Sequence, residues 1–505
     1  MLNLTPFITP LFRHRADSLH RSAMNVEATQ RAELRKLLGA ARSTLIGSRY
    51  GFAQLRDYES FAARVPLSAY EDIRPLVMRM ISGEADLLWP GVTRRYAQSS
   101  GTSDGRSKFI PVTDDSLRRC HYRGATYVVE QYLSLYPDSR LLGGRSFILG
   151  GSFATDLTNL PVGVRVGDLS ANLIEAINPA VNAVRVPSKE VALMADWERK
   201  LPALVRALVG CRDITNISGV PSWFLTVLRR VIEAAGAETI HDVWPNLEVF
   251  FHGGISFEPY REQYRSITDP SRMRYLETYN ASEGFFAVQD SVEPKAPMLL
   301  LPDVGVFYEF KPLDADDDAE PVPAWRVNPG EVYALIITAC NGLWRYQIGD
   351  TVRVETVEPL RISIAGRTRL FINAFGEELM VHNADAALAR TCRDLRCTVA
   401  DYTAAPVFTA RHTKGHHQWL VEFVTPPTNM AEFASLLDRH LCEENSDYAA
   451  KRTADIFLAP PQVIAAPSGT FQSWLAATGK VGGQRKVPRL ANDRHIIEPM
   501  LAMIV

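Results

Sequence analysis

The sequence has no continuous apolar segment long enough to cross a membrane, and prolines and basic side chains interrupt residues 1–15. We therefore expect neither a spanning helix nor a signal peptide. The formal net charge is only −2 at pH 7, which gives no basic surface to attract nucleic acid or an anionic membrane. The six cysteines are scattered, with no Cys-x-x-Cys pair, and this favours reduced thiols and a cytoplasmic location.

Two common catalytic signatures are also missing. The chain has no His-Glu-x-x-His sequence and no Gly-x-Gly-x-x-Gly after a predicted strand, which disfavours zinc proteases and dinucleotide-binding enzymes. His412, His416 and His417 cluster at a predicted turn before a strand from Trp419 to Val424. Histidines at such a turn usually face solvent, so we predict no metal site there.

The chain is long enough for more than one domain. Its 505 residues are 46% hydrophobic and 22% charged, which is typical of soluble globular proteins of two or more domains. Apolar periodicity predicts helices over residues 26–46, 70–81 and 114–136. Apolar strands over residues 247–254 and 275–284 end in glycines or polar side chains. Strands alternating with helices predict an α/β domain whose ligands bind at the carboxyl ends of the strands.

The carboxyl-terminal third of the sequence differs from the rest in the length of its predicted elements and in the polarity of its loops. A hairpin is predicted around Asn341-Gly342, and beyond residues 357–367 the predicted elements become shorter and the loops more polar. We place the domains at residues 1–360 and 361–505. Residues 476–489 are rich in glycine and basic side chains, and we predict a mobile loop there.

The stretch from Gln98 to Lys108 holds five hydroxyls, two glycines and a terminal lysine. Glycines allow several backbone N–H groups to face one anion, and the hydroxyls and lysine add donors and charge. The stretch lacks the Gly-x-x-x-x-Gly-Lys-Ser/Thr spacing of a Walker loop. It is also followed by a predicted strand, whereas a Walker loop is followed by a helix. A polyphosphate-binding loop and an ordinary hydroxyl-rich hairpin turn both fit this pattern.

Three polar side chains lie in further clusters at predicted strand ends or loops. The Asp350 carboxylate can accept hydrogen bonds from the two hydroxyls of a ribose, and the Glu283 carboxylate can bind a Mg²⁺ ion that bridges phosphates. The Lys486 ammonium can neutralise charge on a transferring phosphoryl group. Each also has an ordinary explanation, as a turn residue, a helix cap and a solvated charge respectively. Together they supply what a nucleoside triphosphate requires.

The order of these motifs resembles the adenylate-forming superfamily, and more closely the auxin-responsive Gretchen Hagen family of acyl-acid amido synthetases. The glycine- and hydroxyl-rich loop is typical of the whole superfamily, whereas the closing Gln-x-Lys-x-Pro-Arg after Gly-Thr-Phe is particular to this family. The matching stretches are residues 65–72, 99–108, 219–223, 278–283, 307–310, 346–350, 469–471 and 484–489.

The resemblance implies a firefly-luciferase-like α/β fold, with a large N-terminal domain and a small, mobile α+β C-terminal domain. It implies ATP and Mg²⁺ as cofactors, Lys486 as the catalytic lysine, Glu283 as the Mg²⁺ ligand, Asp350 at the ribose and Arg367 near the hinge. The remaining implied ATP contacts are Ser99, Ser100, Gly101, Thr102, Lys108, Gly253, Gly254, Tyr279, Ala281 and Ser282. One stretch departs from the plant pattern, since residues 373–379 read Asn-Ala-Phe-Gly-Glu-Glu-Leu and supply no phosphate-binding lysine.

We place an acyl-substrate pocket on the N-terminal domain, with ordinary core packing as the alternative. Arg165 is its candidate carboxylate partner, unless it serves a surface ion pair. The apolar candidates are Leu169, Leu173, Val220, Pro221 and Trp223.

The implied reaction joins a small carboxylic acid to an amine, such as that of an amino acid, by way of an acyl-adenylate. We expect a monomer that binds neither nucleic acid nor membrane. An acyl-CoA ligase shares the first step, and a non-catalytic binding protein is the alternative from another class. A phosphate-loop NTPase is disfavoured because a strand follows the loop.

Overall fold

A computed structural model of the chain describes residues 3–99, 107–155, 157–254, 257, 260–313, 319–367, 371–372, 377, 379–408, 415–445, 448–449, 452, 458–478, 486–491 and 493–504. The chain divides into two compact units. Unit 1 comprises Met1–Gly254 and Thr268–Ser363, and unit 2 comprises Ile255–Ile267, Ile364–Val481 and Arg485–Val505.

The helices of unit 1 lie mostly in its first 245 residues. They are α1 (Thr5–Met24), α2 (Val26–Ala41), α3 (Leu45–Tyr50), α4 (Tyr58–Arg64), α5 (Tyr70–Ile81), α6 (Tyr122–Leu135), α7 (Leu169–Glu175), α8 (Pro179–Ala183), α9 (Lys189–Ala192), α10 (Trp197–Val209), α11 (Pro221–Ala235) and α12 (Ile240–Val243).

Two of these helices show how local sequence sets their bounds. The predicted helix at residues 70–81 is α5, whose start is fixed because the Ala69 N–H donates to the Asp72 carboxylate at 2.8 Å. The helix predicted from residue 26 ends at Ala41, five residues early. Thr44 caps a new helix there, accepting from the Gly47 N–H at 3.1 Å.

The strands of unit 1 form two sheets among the described residues. They are β1 (Arg95–Ser99), β2 (Lys108–Pro111), β3 (Arg145–Ile148), β4 (Arg165–Gly167), β5 (Arg185–Val186), β6 (Ile214–Gly219), β7 (Val249–Gly253), β8 (Arg274–Ala281), β9 (Gly284–Gln289), β10 (Met298–Leu300), β11 (Val306–Pro312), β12 (Val322–Pro323), β13 (Val332–Ala339), β14 (Leu343–Val357) and β15 (Leu360–Arg367).

The larger sheet has the order β12-β11-β13-β14-β15-β10-β9-β8-β7-β6-β3-β5 within the described part of the chain. Strands β5, β3, β6, β7 and β8 are parallel, whereas the pairs β8–β9, β9–β10, β10–β15, β11–β12, β11–β13 and β13–β14 are antiparallel. The predicted hairpin is β13–β14. The smaller sheet has the order β2-β1-β4.

Register aligns the ends of the parallel strands. Gly219 of β6 pairs with His252 of β7, and Gly253 of β7 pairs with Thr278 of β8. All five residues of β7 are buried, as its apolar sequence predicts. The carboxyl ends of β6, β7 and β8 therefore lie side by side at one edge of the sheet.

Unit 2 is smaller and also mixes helices with sheet. Its elements are α13 (Arg261–Ile267), β16 (Phe371–Ile372), β17 (Leu379–Met380), α14 (Val381–Asp394), β18 (Thr398–Phe408), β19 (Gly415–Thr425), α15 (Met430–Glu444), β20 (Gln462–Ala466), α16 (Thr470–Ala477) and α17 (Ile497–Ala502).

The sheet β18-β19-β20 of unit 2 carries apolar side chains on both faces. Trp419 packs with Leu388 of α14 and Leu437 of α15, whereas the next residue, Leu420, packs with Phe471 of α16. Successive side chains of a strand point to opposite faces, so the helices cover the sheet from two sides.

No helix in the described ranges combines the length and the apolar character that a membrane span needs.

Candidate active site

The glycine- and hydroxyl-rich stretch joins two antiparallel strands, as the sequence predicts. Ser99 at the end of β1 pairs with Lys108 at the start of β2. The Tyr70 hydroxyl accepts from the Phe109 N–H at 2.8 Å, and Lys108 Nζ lies 5.9 Å from the centre of the Tyr70 ring. Helix α5 therefore fixes the base of this hairpin. The other predicted loop contacts, Ser100, Gly101 and Thr102, lie outside the described residues.

The aligned strand ends bring several predicted site residues to one edge of the sheet. Val220 and Pro221 follow β6 directly, Gly253 ends β7, and Ala281 ends β8. Neighbouring strands lie about 5 Å apart, so the residues after β6 lie beside the end of β7, whereas β8 continues for three residues past Thr278, the partner of Gly253, before it ends at Ala281.

Glycine is required at the end of β7 for two physical reasons. A Cβ on Gly253 would lie 2.3 Å from the Thr278 carbonyl oxygen of β8, so only glycine allows the strands to pair there. Gly254 has φ +80°, a conformation that side chains disfavour.

A buried hydrogen bond joins two of the predicted ATP segments. The Tyr279 hydroxyl of β8 donates to Asp350 Oδ2 of β14 at 2.6 Å, and both residues are at least 95% buried. A bond to an ionised acceptor at this distance is short and strong. Tyr279 thus holds one carboxylate oxygen of Asp350 in place.

The turn between β8 and β9 carries Ser282 and Glu283, both of them buried. Asn341, in the turn of the β13–β14 hairpin, donates from Nδ2 to the Glu283 carbonyl oxygen at 3.0 Å. The described residues contain no cluster of three or more metal-ligating side chains. Mg²⁺ takes one or two protein carboxylates and completes its shell with water and phosphate, so the single Glu283 carboxylate fits this ion.

Strand β14 is also tied to the segment before α5. Ser68 donates its N–H to the Arg345 carbonyl oxygen at 3.0 Å and accepts from the Gln347 N–H at 2.9 Å. The Arg345 side chain, which sequence reasoning did not single out, contacts the buried Glu309 carboxylate, with Nε–Oε1 at 3.0 Å and Nη2–Oε1 at 2.9 Å. These contacts fix the strand that carries Asp350.

The predicted apolar residues of the acyl pocket follow β4 or β6, whereas Arg165 is the first residue of β4. Leu169 is buried in the core, and Leu173 packs partly against the same core. Arg165 forms a half-exposed ion pair with Glu175, with Nη2–Oε1 at 3.3 Å. A surface ion pair of this kind is the alternative to a role in binding the substrate carboxylate. Trp223 lies in the first turn of α11 and is partly exposed.

A buried lysine that the sequence did not reveal supports the neighbouring loop. Lys200 Nζ donates to the Gly150 carbonyl oxygen at 2.7 Å, beyond the end of β3, and burial lowers its pKa to about 8 although Asp168 opposes this. Asp168 in turn accepts from the Ser152 N–H at 2.7 Å. Lys200 follows no strand and belongs to no motif, so no local signal points to it.

Two of the predicted site residues, Arg367 and Lys486, lie in unit 2. Lys486 is half-buried and precedes a segment that pairs with β18. The prediction of a mobile loop over residues 476–489 is wrong at its carboxyl end, because Thr403 and Ala404 of β18 donate hydrogen bonds to the carbonyl oxygens of residues 488 and 489. Arg367 is the last residue of β15.

The prediction that the histidine cluster faces solvent is wrong for His417. Strand β19 begins at Gly415, four residues before the predicted start, and its alternation turns His417 to the buried face with Trp419. His417 Nε2 lies 2.7 Å from Glu377 Oε1, and both side chains are fully buried. His412 lies outside the described residues.

Three family models cover most of the chain. They are the GH3 family N-terminal domain at residues 15–238, the GH3 family central domain at residues 298–367 and the GH3 family C-terminal domain at residues 382–495. The chain belongs to the GH3 family.

Two of its curated GH3 relatives align with it over most of their length. The indole-3-acetic acid-amido synthetase GH3.8 of Oryza sativa subsp. indica is 23% identical, with 95% of this chain and 91% of the relative aligned. The jasmonoyl-L-amino acid synthetase JAR6 of Nicotiana attenuata is 22% identical, with 92% and 91% aligned.

Solved structures agree with the GH3 fold. A GH3.15 acyl acid amido synthetase matches with a TM-score of 0.80 at 18% identity, over 97% of this chain and 96% of that one. A 2-hydroxyisobutyryl-CoA ligase in complex with 2-HIB-AMP matches with a TM-score of 0.61 at 13% identity, over 94% and 91%. The predicted family and the predicted adenylate-forming α/β fold are confirmed.

Proposed function

We propose that this chain is an ATP-dependent acyl acid amido synthetase. It joins a small carboxylic acid to an amine, most simply that of an amino acid. The direct structural support is the bond between Tyr279 and Asp350, which joins two of the predicted nucleotide-binding segments. The GH3 family membership supports the same reaction, since the relatives are named amido synthetases.

The reaction has two steps and needs no protein nucleophile. The carboxylate of the acid attacks the α-phosphorus of ATP, and the bond to pyrophosphate breaks. The amine then attacks the carbonyl carbon of the acyl-adenylate, an amide bond forms, AMP leaves and the amine gives up a proton. The protein accelerates both steps by orienting the reactants and by offsetting charge on the phosphoryl oxygens.

Each predicted residue has a role in that chemistry. Asp350 accepts the ribose hydroxyls while Tyr279 holds its carboxylate. Glu283 would hold Mg²⁺, which would supply positive charge beside the phosphates. Lys486 stabilises charge at the reacting phosphorus. The β1–β2 hairpin, with Lys108 at its base, binds the β- and γ-phosphates. Gly253, Gly254, Ala281 and Ser282 line the sheet edge at the adenine and α-phosphate, and Arg367 lies near the hinge between domains 1–360 and 361–505.

The acyl substrate belongs, in this proposal, beside the ends of β4 and β6. Leu169, Leu173, Val220, Pro221 and Trp223 supply apolar surface there, and Arg165 is the polar candidate. We also propose that the protein acts as a cytoplasmic monomer on small molecules. The net charge of −2 supports the further proposal that it binds neither nucleic acid nor an anionic membrane.

A pyrophosphate-release screen tests the function. The purified protein is incubated with ATP, Mg²⁺ and a panel of carboxylic acids, with and without each amino acid, and products are identified by mass. We expect acid-dependent pyrophosphate release and an amide product. A thioester formed only with coenzyme A would assign an acyl-CoA ligase, and no release with any acid would favour a non-catalytic binding protein.

A further inference from the structure

Hydrogen bonds and one isolated β-bridge, between Ala404 and Leu490, hold the segment after Lys486 against strand β18 of unit 2. The Thr403 hydroxyl donates to the Pro488 carbonyl oxygen at 2.7 Å. The Ala404 N–H donates to the Arg489 carbonyl oxygen at 2.8 Å, and the Ala491 N–H donates to the Ala404 carbonyl oxygen at 3.1 Å. The backbone is therefore held on β18 from two residues after Lys486.

Two side chains of this segment enter the apolar cores of unit 2. Val487 packs with Leu420 and Phe471, and Leu490 packs with Trp419. Lys486 is consequently followed by a buried residue, Val487, and then by a segment that is hydrogen-bonded to β18.

Arg489 lies at the centre of a buried polar cluster. Its Nη1 is 3.2 Å from Asp385 Oδ1 of α14, and its Nη2 is 3.1 Å from the Tyr260 hydroxyl and 3.7 Å from Asp401 Oδ1. Its guanidinium carbon lies 4.7 Å from the centre of the Tyr402 ring. Only 12% of the Arg489 side chain is exposed.

The charges of the cluster explain why an arginine is needed. Two carboxylates face one guanidinium, and burial raises the pKa of Asp385 above its ordinary value although Arg489 opposes this. The Tyr402 hydroxyl donates to Asp385 at 2.7 Å, so ring and carboxylate are fixed relative to each other. The planar Arg489 guanidinium can contact both carboxylates and also stack on the Tyr402 ring, whereas a lysine ammonium cannot do both.

We propose that Arg489 is a positioning residue for Lys486: its buried contacts with Asp385, Asp401, Tyr260 and Tyr402 fix the segment that presents the lysine. The proposal rests on the amido synthetase function only for the chemistry that Lys486 performs. Arg489 itself is not expected to touch substrate.

The test compares two arginine-to-lysine substitutions in unit 2. Arg489→Lys keeps the positive charge that the two carboxylates need, so the fold is preserved. Arg452→Lys is the matched control, because the Arg452 guanidinium forms a similarly buried ion pair with the Asp438 carboxylate, with Nη2–Oδ2 at 2.6 Å. Each protein is measured for kcat and for the KM of ATP in acid-dependent ATP–pyrophosphate exchange. Amide hydrogen exchange of residues 486–491 is measured by mass spectrometry.

We expect Arg489→Lys to lower kcat by ~10- to 100-fold, since displacement of a reacting group by about 1 Å has effects of that size. The KM of ATP should stay unchanged, and amide exchange should become faster at residues 487–491. Arg452→Lys should leave both readouts at their wild-type values. An unchanged kcat in Arg489→Lys, unchanged protection of that segment, or the same losses in Arg452→Lys would overturn the proposal.

A different result would reject the proposed amido synthetase function. If the wild-type protein shows no exchange with any acid, the synthetase activity is rejected. The hydrogen-exchange comparison then still decides whether Arg489 fixes the segment.

Discussion

Replacement of Arg345 by methionine tests how unit 1 holds the strand that carries Asp350. Arg345 contacts both oxygens of Glu309, with Nε distances of 3.0 and 3.1 Å. Its Nη1 also donates to the carbonyl oxygens of Ala62 and Val65, at 2.8 and 2.9 Å. The two ionic side chains are 3% and 0% exposed.

The expected loss follows from this burial. Removing one partner of a buried ion pair costs about 3–5 kcal/mol, because the other charge stays buried without compensation. Burial already raises the pKa of Glu309, which Arg345 opposes, so Arg345→Met leaves a carboxylate that is costly to keep ionised. In the double variant Glu309→Gln/Arg345→Met that charge is absent, and we expect it to be more stable than the single variant at pH 7.

Urea unfolding followed by tryptophan fluorescence measures these free energies, and Trp344 beside Arg345 is a suitable reporter. Arg326→Met is the control, since its partner Glu59 is half-exposed and the pair spans 2.7 Å at the surface. We expect its loss to stay below about 1 kcal/mol. If Arg345→Met and the double variant unfold at the same urea concentration, an uncompensated carboxylate is not the cause of the instability and the reasoning is refuted.

Three further predictions concern the site and the buried cluster. Lys486→Ala should lower acid-dependent ATP–pyrophosphate exchange by ~100-fold or more while calorimetry still detects ATP binding, and near-normal exchange would remove Lys486 from the mechanism. Tyr279→Phe removes a bond to the charged Asp350, worth about 1.5–3 kcal/mol. It should raise the KM of ATP by roughly 10- to 150-fold and weaken discrimination against 2′-deoxy-ATP; unchanged values contradict the ribose assignment. Burial raises the pKa of Asp401 from 3.8 to about 6, although Arg489 opposes this, so the folded state binds the proton more tightly and wild-type stability falls as pH rises from about 4 to 6. Asp401→Asn should therefore gain up to about 3 kcal/mol relative to wild type between pH 4 and pH 8 in urea unfolding, and an equal difference at both pH values would contradict this.

Much of the local structure was predictable because it depends on neighbours in the sequence. Helix α5 has the bounds that its apolar period predicts, and the β13–β14 hairpin forms around Asn341-Gly342 as its turn residues require. The apolar sequence of β7 and its terminal glycines correctly predicted a buried strand that ends at a sheet edge.

The partners of the site residues were not predictable in the same way. Asp350 was predicted to be a ribose ligand, but its hydrogen bond to Tyr279 spans 71 positions. The ion pair of Arg345 with Glu309 spans 36 positions, and neither residue carries a motif that names the other. Such contacts depend on strand order in the large sheet, which no local pattern specifies.

The sequence by itself determined local elements such as helix α5, strand β7 and the β13–β14 hairpin, together with the order of the motifs and the chemistry they suggest, since periodicity, turn residues and side-chain type act locally. Only the tertiary structure decided which side chains are buried together. His417 became a buried partner of Glu377, and Arg489 became the centre of a cluster drawn from α14, β18 and the segment before α13. The physical reason is that burial and pairing of charges arise from contacts between distant segments, which exist only once the sheet of unit 2 has formed.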